Sequence, residues 1–228
     1  MDKRFWAVLG VIAVFVVGAI WISNNNKANA PSSNAKPTNH IEGKGTTGVK
    51  LVEYGDYECP VCSGYYPTVK QVAAQFSDQI YFQFRNLPLT SIHQNAFAGA
   101  RAAEAASLQG KFWQMHDLLY ENNQYEQQTG WVVSSNPLND YFVGFAQQLG
   151  LNINEFKTDY ASEKVDNAIN TDVNAFNKTK QAEGTPSFFL DGKYISNTQL
   201  VDSNGQPSVQ KFAQVINAEI AKKDPSKK

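Results

Sequence analysis

The stretch EYGDYECPVC (residues 53–62) decides the fold. It contains Cys59 and Cys62, the only two cysteines of the 228-residue chain. Just upstream, VKLVEY (49–54) sets β-branched and apolar residues in near-alternation and predicts a strand. Gly55 and Asp56 break it. A helix is expected at or just after Cys59, because Pro60 suits a first helical position, where its missing N–H costs nothing. Tyr66, Val69, Val72, Ala73 and Phe76 recur at spacings of three and four, which gives that helix a buried face.

Working outward, IYFQFRNL (80–87) alternates large residues and reads as a second strand, ended by Pro88. A long helical block follows. Residues 96–108 are alanine-rich and stop at Gly110, a good C-terminal cap. Phe112, Met115, Leu118 and Leu119 mark a second helix, and Tyr141, Phe142, Phe145 and Leu149 a third, before Gly150. Residues 153–160 and 165–176 predict two more. Residues 187–190 then form a short apolar strand, Asp191-Gly192 is a strong hairpin signal, and residues 193–195 return as its partner. Val209, Phe212, Ala213, Ile216 and Ile220 share one face of a closing helix. The order implies an α/β domain over residues 48–222 with an all-helical insertion at about 91–182.

The ends read differently. Lys3 and Arg4 precede eighteen uncharged residues (5–22). About 17–25 apolar residues span a bilayer, so residues 1–23 are expected to be a single-pass anchor. The basic pair orients it with the remainder on the extracytoplasmic side. A cleaved signal peptide is the alternative, with Ala28 and Ala30 as its small residues, but Pro31 follows directly and disfavours cleavage. Residues 24–47 have the composition of a flexible linker, and residues 223–228 form a basic tail. The formal net charge is −1, with both signs interspersed, which excludes an electrostatic footprint for nucleic acid.

EYGDYECPVC (53–62), FRNLPL (84–89), QGKFWQMHDLLYEN (109–122) and GTPSFFLDGK (184–193) together resemble the DsbA-like branch of the thioredoxin superfamily. The resemblance covers nearly everything from Val49 to Ile220 and implies a thioredoxin-like fold with an inserted helical domain. It implies that Cys59 is the nucleophile and Cys62 the resolving thiol. It further implies that Pro186, preceded by Thr185, is a cis-proline facing the pair, and that Glu53 is a buried acid beneath it. Strongly oxidising members carry a histidine between the cysteines, whereas this chain has Pro60 and Val61. The partners it implies are exported proteins with thiols or disulfides and a membrane redox partner, a quinone-linked re-oxidant for an oxidase.

The chemistry explains the pattern. Thiol-disulfide exchange needs a thiolate, and a helix N-terminus lowers a cysteine pKa from about 8.5 to roughly 3.5–7.5. Two intervening residues return Cys62 beside Cys59. A purely structural disulfide closing so short a loop would constrain the unfolded chain little. A zinc site needs four ligands. His40 falls in the linker, and His93 and His116 read as ordinary helix-surface or groove residues, so no metal or cofactor is expected. Phe112, Trp113 and Met115 read as core, while Tyr54, Tyr57 and Tyr65 are candidates for lining a client groove. Arg85 is a conceivable ion-pair partner for Glu53. An oxidase, a reductase or isomerase, and a non-catalytic metal- or client-binding module remain the competing functions.

Overall fold

The computed structural model describes residues 36–223, so the apolar run 5–22, the Ala28–Pro31 region and the last five residues lie outside it. Among the described residues five strands, β1 (His40–Glu42), β2 (Val49–Gly55), β3 (Ile80–Asn86), β4 (Ser187–Leu190) and β5 (Lys193–Ile195), form one sheet in the order β1-β3-β2-β4-β5. β2 and β3 are parallel, and the helix between them, α1 (Pro60–Gln75), is the crossover that parallel pairing requires. β4 runs antiparallel to β2 and continues through a hairpin into β5. The turn works because Asp191 and Gly192 both take positive φ, 48° and 79°.

Period-two alternation sorts the central strand. Leu51 and Val49 face α1 and the closing helix, joining Val69, Val72, Phe188, Phe212 and Ile216 in one core. Val52 and Tyr54 face the other way and meet Leu87, Phe176 and Phe189. Between β3 and β4 come α2 (Ala96–Ser107), α3 (Phe112–Glu121), α4 (Val143–Gln148), α5 (Ile153–Tyr160) and α6 (Glu163–Asn177); α7 (Val209–Lys223) closes the chain. The helical block has its own core, in which Trp131, Phe142 and Phe156 are fully buried. Its third element is less regular than its periodicity implies, because a π-helical stretch, Leu138–Phe142, leads into α4.

The linker reading over 24–47 is corrected at its C-terminal end. β1 (His40–Glu42) pairs antiparallel with β3. Its sequence is polar because its partners are: His40 Nε2 meets Glu104 at 2.8 Å, and the His40 ring stacks on Phe112 with centroids 3.5 Å apart. Thr38 donates through its N–H and Oγ1 to the buried Asp172. Asn86 Nδ2 bonds Glu104 and its backbone N–H bonds Asp172, so the two buried acids tie the edge strand, the sheet and the helices together. Likewise Lys223, read as tail, is helical and pairs with Asp191 at 2.6 Å.

Candidate active site

Cys59 is the N-cap of α1, and Cys62 lies one turn in. No side chain caps this helix and no acid occupies its first turn, so its free amides and dipole are left to the cysteines. The Asp56 carbonyl accepts from Cys59 N–H at 3.2 Å, and the Cys59 carbonyl accepts from Ser63 N–H at 3.1 Å, which holds the residue at the turn-to-helix junction.

The two thiols are electrostatically unequal. Hydrogen bonding from the Cys62 side chain brings Cys59 down to about 6, overcoming burial, and Thr185 and the Cys62 amide add to the effect. Burial, followed by its bond to Cys59, pushes Cys62 well above the ordinary thiol range. Near neutral pH this inequality favours the proton on Cys62 and the negative charge on Cys59. As a thiol, Cys59 points its Sγ at the Thr185 carbonyl oxygen, 3.6 Å away. The Thr185–Pro186 peptide bond is cis, and Pro186 leads directly into β4, which pairs with β2 and so lies beside the motif.

Glu53 sits on β2 opposite Phe84 and Phe188, on the α1 face of the sheet. It is 3% exposed. Burial first, and the Cys59 charge second, raise its carboxyl to about 8. A cavity of about 50 Å³ lies against it, lined by Tyr66, Lys70, Trp113, His116, Asp117 and Tyr120 among others. A water needs about 10–15 Å³ measured this way, so the space admits solvent between Glu53 and the half-exposed Lys70–Asp117 pair.

Arg85 does not reach Glu53. Register places it opposite Tyr54, on the other face, where its Nη1 donates to Tyr54 Oη at 2.7 Å. The tyrosines beside the motif are also corrected: Tyr54, Tyr57 and Tyr65 are 3%, 1% and 5% exposed and belong to the cores rather than to a groove. His93 and His116 are buried too, not surface residues. His116 is held neutral, its pKa driven down to about 3 by burial, with Nδ1 at 3.1 Å from Tyr57 Oη. Trp113 is only partly buried and bridges the two main cores.

Three site neighbours were not singled out from the sequence. Asp56, Glu58 and His93 form a buried cluster around the turn before Cys59, with Asp56 Oδ2 at 2.7 Å from His93 Nδ1. The two acids stand within three residues of Cys59, a signal present in the motif; the histidine arrives from a loop beyond β3. Among the described residues no three or more of His, Cys, Asp and Glu are grouped to hold a metal.

An α/β sheet with one cysteine at a crossover-helix N-terminus, a second one turn on and a cis-proline leading into the adjoining strand defines a dithiol protein of thioredoxin-like architecture. The comparisons agree. A thioredoxin family profile matches residues 35–212, more than half the chain, and the chain belongs to that family. Similar solved structures include BdbD from Bacillus subtilis in its oxidised form, 21% identical, covering 84% of this chain and 96% of that one with a TM-score of 0.61. DsbA from Klebsiella pneumoniae is 18% identical and covers 83% and 100%, with a TM-score of 0.58. At these identities they show the fold. Among curated proteins, a Na(+)/H(+) antiporter NhaA 1 of Salinispora arenicola is 35% identical over 154 residues, 68% of this chain and 22% of that protein. The chain thus spans about a fifth of the length of the curated relatives it matches.

Proposed function

We propose that this chain is a protein thiol-disulfide oxidoreductase acting as an oxidase, which passes the Cys59–Cys62 disulfide to exported proteins. The observation that carries the reading is the placement of the pair: Cys59 at an uncapped helix N-terminus, which suits a thiolate, and Cys62 fully buried one turn in, with the Cys59 pKa lowered to about 6 and that of Cys62 raised. A client thiolate attacks the Cys59 sulfur of the disulfide, releasing the thiolate of Cys62, which takes up a proton; a second client thiolate attacks the client sulfur of the mixed disulfide and expels Cys59 as its stabilised thiolate. The client gains a disulfide, and the pair gains two electrons. Glu53 is suited to deliver the proton to Cys62, since it is largely protonated at pH 7 and the adjoining cavity connects it toward solvent.

Thr185 and Pro186 form the other wall, where an extended client would lie against the Thr185 backbone. A DsbA of Proteus mirabilis, similar to this chain in fold, has been solved with a non-covalently bound peptide, which supports a peptide client. We further propose residues 1–23 as a membrane anchor, residues up to 35 as its linker, the catalytic domain on the extracytoplasmic side, and a quinone-linked membrane protein as re-oxidant. Ion transport is not carried over from the antiporters, since the shared part is about a fifth of them.

The reduction potential against a glutathione series tests the direction. Couples run from about −270 mV for thioredoxin to about −120 mV for DsbA, a span of about 7 kcal/mol. A Cys59 pKa near 6 lies between their nucleophiles, about 7 and about 3.5, and predicts a potential between the two. A value at or below the thioredoxin end would make the protein a reductase.

A further inference from the structure

We propose that His93, held by Asp56 against the turn that precedes Cys59, is the cationic group that stabilises the Cys59 thiolate and adds its own pH dependence to the potential of the pair. The inference rests on the dithiol reading of Cys59 given above and adds a positioning residue to it.

The argument begins with Asp56. It is 1% exposed and acts as a three-way staple: Oδ1 accepts from Glu58 N–H at 2.9 Å, and Oδ2 accepts from Leu89 N–H at 2.9 Å and meets His93 Nδ1 at 2.7 Å. Its backbone carbonyl takes the Cys59 N–H. The side chain therefore fixes the turn that presents the nucleophile, and it fixes the loop after β3 to that turn. This staple has an electrostatic cost, because the Asp56 charge opposes formation of the Cys59 thiolate. Pro60 and Val61, the residues between the cysteines, bring no charge to offset it.

His93 does. It is 5% exposed, and with Nδ1 on Asp56 it makes no protein hydrogen bond through Nε2 among the described residues. The Asp56 bond raises its pKa first, against burial, and Cys59 and Glu58 act in the same direction. Among the described residues, the charged groups that act on the imidazole are Asp56, Cys59 and Glu58, and the Tyr125 ring lies edge-on at 5.4 Å between centroids. Glu58 is raised to about 7 by burial, and its Oε2 accepts the Asn95 N–H, so near neutrality its carboxyl is partly protonated. Interaction between His93 and Cys59 is reciprocal: whatever the thiolate does to the imidazolium, the imidazolium does to the thiolate. Protonated His93 cancels Asp56 and favours the charged sulfur; deprotonated His93 leaves Asp56 unopposed.

The test uses the full chain with His93→Gln, which keeps a hydrogen-bond donor for Asp56, and His93→Lys, which keeps the charge. Thiolate absorbance of the reduced protein and the glutathione-equilibrated potential are followed from pH 5 to 9. For H93Q the Cys59 pKa should rise so that thiolate formation is about ten-fold less favourable, which for a two-electron couple corresponds to a potential about 30 mV more negative. The gap should close above the His93 titration, and H93K should restore wild-type behaviour. A gap independent of pH, or the same shift in both variants, would make His93 merely structural and overturn the proposal. So would an unshifted H93Q. Should the variants not fold, NMR titration of His93 in the wild type decides: its pKa must be higher in the reduced than in the oxidised form, and equal values refute it. Failure of the wild type to exchange with a dithiol peptide would instead sink the oxidoreductase reading itself.

Discussion

Replacing Glu53 with Gln removes one titration while nearly preserving the shape of the side chain, and the consequence for stability can be worked out from its burial. The folded carboxyl titrates at about 8, against an ordinary 4.5. Below about pH 4.5 both folded and unfolded chains carry the proton, and the stabilising contribution is complete. As pH rises toward 8 the unfolded chain releases a proton that the folded chain retains, so stability falls by about 1.4 kcal/mol per unit and levels off above 8. The loss comes to about 3 kcal/mol at pH 7, about 4 kcal/mol at pH 8 and about 5 kcal/mol at the plateau above it. Glu58, Asp172 and His93 are present in wild type and variant alike, so the difference between the two reports Glu53 together with its coupling to Cys59. Urea denaturation of the reduced proteins at pH 5, 6, 7 and 8 measures it: E53Q should gain steadily on the wild type as pH increases. Stability curves that stay parallel across that range would refute the buried, proton-retaining carboxyl, and with it the suitability of Glu53 as the proton donor to Cys62. The same variant should slow the exchange steps in which Cys62 gains or loses a proton.

Cys59→Ser should abolish exchange, whereas Cys62→Ser should accumulate a mixed disulfide with a client peptide, visible by mass spectrometry; rapid turnover by C62S would exclude Cys62 as the resolving thiol. Gly55→Ala places a Cβ 2.5 Å from Phe84 Cε2 and 2.8 Å from Tyr120 Oη, and overpacking of this kind costs about 1–3 kcal/mol in chemical denaturation. A neutral result would mean that the strand end under the motif can shift. Shortening a chain of residues 36–228 to 44–228 removes Thr38 and His40 and strips Asp172 and Glu104 of those partners. Leaving a buried acceptor without its donor costs about 1–3 kcal/mol, so the midpoint should drop, and an unchanged midpoint would show that β1 is only an accessory edge.

Much of the architecture was legible because its signals are local. Alternation marked β2 and β3, Pro60 marked the start of α1, Asp191-Gly192 marked the hairpin, and the three-and-four spacing of Val209, Phe212 and Ile216 marked α7. The spacing of Cys59 and Cys62 behind a strand and before a helix was enough to place the reactive pair, since helical geometry alone brings residues three apart onto one side.

Partnership between distant segments was not legible. β1 has a polar sequence and became a strand through Glu104, Asp172 and Phe112, which lie 64, 134 and more than 70 residues away. Arg85 and Glu53 are compatible charges that register puts on opposite faces, and a slip of one residue would have reversed this. His93 and His116 looked superficial because neither lies in a conspicuously apolar pattern, yet one is drawn in by Asp56 and the other by Tyr57 and the surrounding rings. The sequence by itself determined that the two thiols stand together, because a dithiol needs only its own turn of helix. How readily they react was decided by the tertiary structure, because a thiolate's stability depends on charges and dielectric within a few ångströms, and those come from segments that only folding assembles.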